Sequence, residues 1–172
     1  MRKKLVFAVF LVLTIFAVSL VTGAQACGPP TKRDFLYFVA DVPGTYQITS
    51  ANPSGTQLGD VFWGTGTASW MGKVSTVGAE VLVFNAPPPT FTHVSLTGTF
   101  TITDNWGNTL KVTYQCNAGA TLQYYGTFQI AGGTGRFEYA TGSGVTWGTT
   151  TSPDPTTGQG TYTELLAGWI SF

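Results

Sequence analysis

The residues able to do covalent or acid–base chemistry are few. The chain holds one histidine, His93, and two cysteines, Cys27 and Cys116. A Ser-His-Asp triad would have to use His93, and no Gly-x-Ser-x-Gly elbow accompanies it; Ser143, in Thr-Gly-Ser-Gly-Val, misses that spacing. By parity with Ser95 and Thr97, His93 belongs to the wet face of a strand. Two Cys and one His are too few for a Cys/His zinc cluster. No Gly-Lys-Ser/Thr follows a glycine cluster, so no phosphate loop is expected. Asp104, Asn105 and Asn108 offer oxygens of the kind calcium takes, but Asx side chains at this spacing more simply cap a hairpin turn. No metal and no cofactor are therefore expected.

Paired carboxylates are the remaining enzymatic route. Glu138 and Glu164 are the candidates, since a glutamate lining a closed β structure can have a raised pKa and act as acid or base. The plainer reading of both is a solvated surface carboxylate.

The elements that would position these groups are strands. The chain has 172 residues, of which 43 % are hydrophobic and 9 % charged, with 29 Thr and 22 Gly. It is too apolar and aromatic for a disordered chain, and it has no basic excess for nucleic-acid affinity. Threonine, branched at Cβ, favours strands. Val94, Leu96, Phe100 and Ile102 alternate with Ser95, Thr97, Thr99, Thr101 and Thr103, as in a strand with one buried and one wet face. Asp104–Asn108 reads as a turn, and Leu110–Cys116 as the return strand of a hairpin. Further strands are expected near residues 46–50, 80–84, 122–130, 145–150 and 161–172. The Gly-interrupted stretch 60–74 is expected as one bent or bulged strand.

About eight strands in meander order predict an all-β, single antiparallel closed barrel, with a two-sheet sandwich as the alternative. Such a barrel is filled by side chains or holds one small ligand. Tyr114, Tyr124 and Phe128 fall on apolar strand faces and are the expected ligand contacts.

Residues 1–26 read as a signal peptide: Arg2, Lys3 and Lys4, then an apolar run from Leu5 to Val21, then Ala24-Gln25-Ala26. Residues 27–43 are expected as a lead-in and 44–172 as the barrel domain. Export to the cell envelope or beyond follows. Loss of the leader removes three basic residues and leaves an acidic chain, a poor partner for nucleic acid. Cys27 sits at the cleavage junction. It can carry a lipid anchor, pair with Cys116, or stay a free thiol; the anchor would be the one expected link to a membrane.

The segment Gly132-Gly133-Thr134-Gly135-Arg136-Phe137-Glu138-Tyr139-Ala140-Thr141-Gly142-Ser143-Gly144 resembles the Gly-Gly-Thr-Gly-x-Phe…Ala-x-Gly signature of dirigent proteins and allene oxide cyclase-like barrels. Residues 64–72 are similar to a pattern of exported bacterial members of that superfamily. Glu138 and Thr141 stand where dirigent proteins usually have arginine. In the motif, Gly132, Gly133, Thr134, Gly135 and Gly142 are expected to shape a tight turn, with Phe137 and Tyr139 plugging one barrel end.

The leading functional expectation is non-catalytic binding of a small apolar or amphipathic ligand. An isomerase or cyclase is the alternative that the resemblance implies, with Glu164, Cys116 and Tyr114 as its inward polar groups. A structural or adhesion role in the cell envelope is the third.

Overall fold

The computed structural model describes residues 35–172, so the expected signal peptide and Cys27, with its anchor-or-disulfide alternative, lie outside the described residues. Nine strands form one antiparallel sheet: β1 (Leu36–Asp41), β2 (Gly44–Ala51), β3 (Gln57–Ala68), β4 (Gly72–Phe84), β5 (His93–Asp104), β6 (Thr109–Gly119), β7 (Gln123–Gly133), β8 (Thr141–Thr150) and β9 (Gln159–Ser171). From β3 to β9 every strand pairs with the next, a plain meander.

The sheet closes through β1 and β2, which together make one stave. Leu36 pairs with Ile170, Asp41 with Leu165, Gly44 with Tyr162 and Gln47 with Gln159, so β1 and β2 run along β9 in a single register. On the other side Ala40 pairs with Ala68 and Gly44 with Gly64, again in one register along β3. Val42 and Pro43 bridge the two halves: Val42 N–H donates to Glu164 O at 2.9 Å, and Pro43 O accepts from Thr65 N–H at 3.3 Å. Pro43 has no N–H to give, which interrupts the ladder without breaking its register. The result is an eight-stave barrel and not a sandwich. Its wall begins at Leu36, ahead of the expected boundary at residue 44.

The stretch expected as one bent strand over 60–74 is a hairpin. β3 and β4 pair from Gln57↔Val83 to Ala68↔Gly72, joined by Ser69, Trp70 and Met71. Trp70 turns the chain at φ 66° and Gly72 at φ 72°. A left-handed tryptophan is rare, so residue type did not mark the turn. Contacts hold it there: Trp70 Nε1 donates to Tyr37 O at 3.2 Å, and Arg136 Nη2 donates to Trp70 O.

One end of the barrel is plugged. Gly132 at φ 85° and Gly135 at φ 60° take conformations that favour glycine. A short 3-10 turn, Gly135–Phe137, follows and drops Phe137, fully buried, onto the barrel end. Phe137 meets Phe172 edge to face, with ring centroids 4.9 Å apart. Tyr139, expected as a second plug, is 66 % exposed; the three-residue period of the 3-10 turn carries Phe137 and Ala140 inward and Tyr139 outward. Arg136 bridges to Asp104 at 3.1 Å, and Asp104 in turn accepts from the Trp106 and Asn108 N–H groups. Burial alone would raise the Asp104 carboxyl; the bonds from Asn108, Trp106 and Arg136 outweigh it and hold the carboxyl below its ordinary value. Asp104 and Asn108 thus serve the hairpin turn.

Phe137→Ala is expected to destabilise the barrel by about 3–5 kcal/mol in urea denaturation, because it empties the plug. A loss under about 1 kcal/mol would show that the plug carries little of the packing.

Candidate functional site

Above the plug the interior changes character. Phe62, Phe100, Tyr114 and Tyr162 form an edge-to-face aromatic layer, with Phe62 5.9 Å from Phe100 and 5.6 Å from Tyr162. Beyond this layer lies a cavity of about 460 Å³ toward the end formed by the β2–β3, β4–β5, β6–β7 and β8–β9 connections. Leu58, Leu82, Phe84, Phe91, Leu96 and Leu122 are among its apolar walls.

Three carboxyls also line it: Asp60, Glu80 and Glu164. Asp60 and Glu80 stand directly opposite one another across the β3–β4 ladder. Asp60 is 4 % exposed and Glu164 5 %, while Glu80 is half-buried. Burial raises the Asp60 carboxyl first, and the charge of Glu80 and the proton shared with it raise it further. Burial also raises Glu80, against hydrogen bonds from Tyr114 and Asp60 that favour its charged form. Glu164 is pushed up to about 7 by burial, partly held back by the Thr146 hydroxyl at 3.0 Å and helped by the charge of Glu80. Asp60, pushed up to about 8, and Glu164 are therefore weak acids that retain protons well above the ordinary range, and Glu80 is raised beside them.

Tyrosines surround the carboxyls. Tyr114 donates to Glu80 Oε2 at 2.5 Å. Its ring lies over Gly98, where a Cβ would fall 2.6 Å from the Tyr114 hydroxyl; glycine in mid-strand here makes room for the ring. Tyr124 donates to Thr163 O at 2.8 Å and Tyr46 to Thr151 O at 2.6 Å. Burial raises all of these phenols, so they stay protonated.

The structure brings together Tyr114, Tyr124 and Glu164 among the residues singled out in the sequence. Glu164 was expected at the surface; inward parity on β9, shared with Tyr162 and Leu166, buries it. Glu138 is exposed in the β7–β8 connection. Phe128 is buried in the plugged half, 6.2 Å from Phe38 ring to ring, and is not part of the cavity wall. Cys116 is 2 % exposed with its thiol pushed up to about 12, first by burial and then by Glu164 and Glu80; it lies outside the cavity wall. His93 is exposed, 3.4 Å from Ser95 Oγ.

Sequence reasoning missed Asp60 and Glu80. The signal was present: Asp60 shares parity with Leu58 and Phe62, and Glu80 with Leu82 and Phe84. A carboxylate on the greasy face of a strand is a warning of function. Among the described residues, no group of three or more His, Cys, Asp or Glu is placed to hold a metal ion.

No protein-family model matches the chain, and no curated protein does. Solved structures similar to it include the pterocarpan synthase dirigent protein GePTS1, at 16 % identity over 86 % of this chain and 99 % of that one, with a TM-score of 0.44. The Diels Alderase AbmU from Streptomyces koyangensis is similar at 15 % identity over 88 % of this chain and 74 % of that one, with a TM-score of 0.45. The barrel itself rests on the strand pairings of this chain.

The Glu164 carboxyl sets a pH dependence of stability. Its folded pKa of about 7 lies above the ordinary 4.5, so between those values the native state binds a proton that the unfolded chain does not. Stability is then greatest below pH 4.5 as far as this group is concerned, and falls by up to about 1.4 kcal/mol per pH unit until pH 7. Glu164→Gln is expected to flatten that decline in denaturant titrations from pH 4.5 to 8. An unchanged slope would contradict a protonated, buried Glu164.

Proposed function

We propose that this is an exported barrel that binds one small, mainly apolar ligand without transforming it. The cavity carries the reading: about 460 Å³ of space walled mainly by leucines, phenylalanines and tyrosines, with carboxyls at its floor and Thr150, Thr151 and Ser152 at the β8–β9 connection. That size suits a single small molecule, and a few polar groups at the end of a greasy pocket fix its orientation. The plug at the opposite end supports a rigid cup rather than a channel. Export rests on the leader-like residues 1–26, and any membrane attachment on Cys27.

A second reading, an isomerase or cyclase, is favoured by one observation. Asp60, Glu80 and Tyr114 share protons beside the cavity, an arrangement able to protonate or hydrogen-bond a developing oxyanion in a dry site. If that reading holds, Glu80→Gln lowers turnover of a discovered substrate far more than its binding.

The binding reading is tested with Nile red, an uncharged dye whose emission rises in apolar surroundings. The wild-type chain is expected to take up one dye with a clear fluorescence rise. Ala118→Trp, which drives a large ring from the wall into the cavity, is expected to weaken uptake about tenfold or more with unchanged far-UV circular dichroism. No uptake by the wild type, or equal uptake by the variant, would overturn it.

A further inference from the structure

We propose that the ligand of this cavity is a lipophilic amine, bound as its ammonium ion on Asp60 and Glu80 with its hydrocarbon body among the mouth residues. The inference rests on the binding reading above and names the ligand class.

The floor holds three acids and no basic side chain; its donors are the protons those acids retain and the tyrosine hydroxyls, Tyr162 OH lying 3.5 Å from Thr76 Oγ1. Three carboxyls bring six oxygens to it. Tyr114 supplies a donor to Glu80, and Thr146 one to Glu164. The hydroxyls of Tyr46 and Tyr124 are spent on the backbone carbonyls of Thr151 and Thr163. Apart from the proton shared with Glu80, Asp60 Oδ1 is buried and meets no donor among the described residues. A buried carboxyl left in this condition is costly, and native proteins satisfy such groups.

Charge points the same way. No Lys, Arg or His lines the cavity. The basic side chains among the described residues lie elsewhere: Lys73, Lys111 and His93 are exposed, and Arg136 is paired with Asp104 at the plugged end. A neutral alcohol would bring one donor to this floor. A fatty carboxylate would add a fourth acid to it. A primary ammonium brings three donors and the missing positive charge. On binding it takes the place of the proton that Asp60 and Glu80 share, and that proton leaves to bulk water. The rings of Tyr46, Tyr114 and Tyr162, which also line the cavity, offer faces that attract a cation. The carboxyls are not grouped as a metal site, so an organic cation fits the floor better than a metal ion.

Isothermal titration with n-octylammonium chloride, 1-octanol and sodium octanoate tests this, because the three share one hydrocarbon chain. The wild-type chain is expected to bind octylammonium at least about tenfold more tightly than octanol, and octanoate most weakly. Asp60→Asn and, separately, Glu80→Gln are each expected to weaken octylammonium about tenfold or more while changing octanol less than about twofold. Using two variants guards against one that fails to fold. Octanol or octanoate binding as well as octylammonium would overturn the amine assignment and leave the binding cup standing. Octylammonium binding unchanged in both variants would likewise overturn it. Uptake of none of the three probes, with Nile red also excluded, would overturn the cup and the amine together.

Discussion

The structure depends on one stave. β3 to β9 alone would be an open, twisted seven-stranded meander with two raw edges, of the kind that invites pairing with other chains. The segment from Leu36 to Gln47 lies in a single register against β9, and Ala40 to Ile48 in a single register against β3 before a bulge shifts the pairing ahead of Ser50, and so the stave removes both edges. Closure creates an interior, and an interior changes the meaning of every inward side chain. Asp60, Glu80 and Glu164 would be ordinary surface carboxylates on an open sheet. Inside the barrel they lose solvent, retain protons and acquire tyrosine neighbours.

The interior is divided along its axis. Phe137, Phe38, Phe128, Ile102, Leu110 and Ile170 fill the plugged half with buried apolar volume. The aromatic layer of Phe62, Phe100, Tyr114 and Tyr162 separates it from the cavity. Stability and site are thereby assigned to different ends. The plugged end is a packed core with an ion pair and a capped hairpin on its rim. The cavity end keeps space, and with it three weak acids whose burial is not repaid by a cation among the described residues.

Much of this was legible in the sequence, and the missing parts have physical causes. Period-two alternation in residues 94–103 and 110–116 marked strands correctly, because a barrel wall imposes strict inside–outside parity. The glycines at 132 and 135 marked a turn, since positive φ favours glycine, and Phe137 plugs the barrel end as expected while Tyr139 does not. The β3–β4 turn was hidden because Trp70, and not a glycine or asparagine, takes the left-handed position. That error joined β3 to the start of β4 as one strand and kept Asp60 and Glu80 from being seen as cross-strand neighbours. Tyr114 and Tyr124 were placed in the pocket by parity. Phe128 has the same parity but sits too far down the axis, and strand alternation carries no information about depth along a barrel. Glu164 shows the same limit in reverse: its type argued for water, and only the closed wall placed it inside.

The central claim is that buried carboxyls at the cavity floor hold protons near neutral pH. Titration of the Asp and Glu side-chain carboxyl carbons by carbon-13 NMR, with Asp60→Asn, Glu80→Gln and Glu164→Gln for assignment, measures it directly. The account predicts that Glu164 titrates at about 7 and that Asp60 and Glu80 titrate together above the ordinary carboxylate range, while Asp104 titrates below it. All three floor carboxyls titrating below pH 5, as solvated acids do, would contradict it.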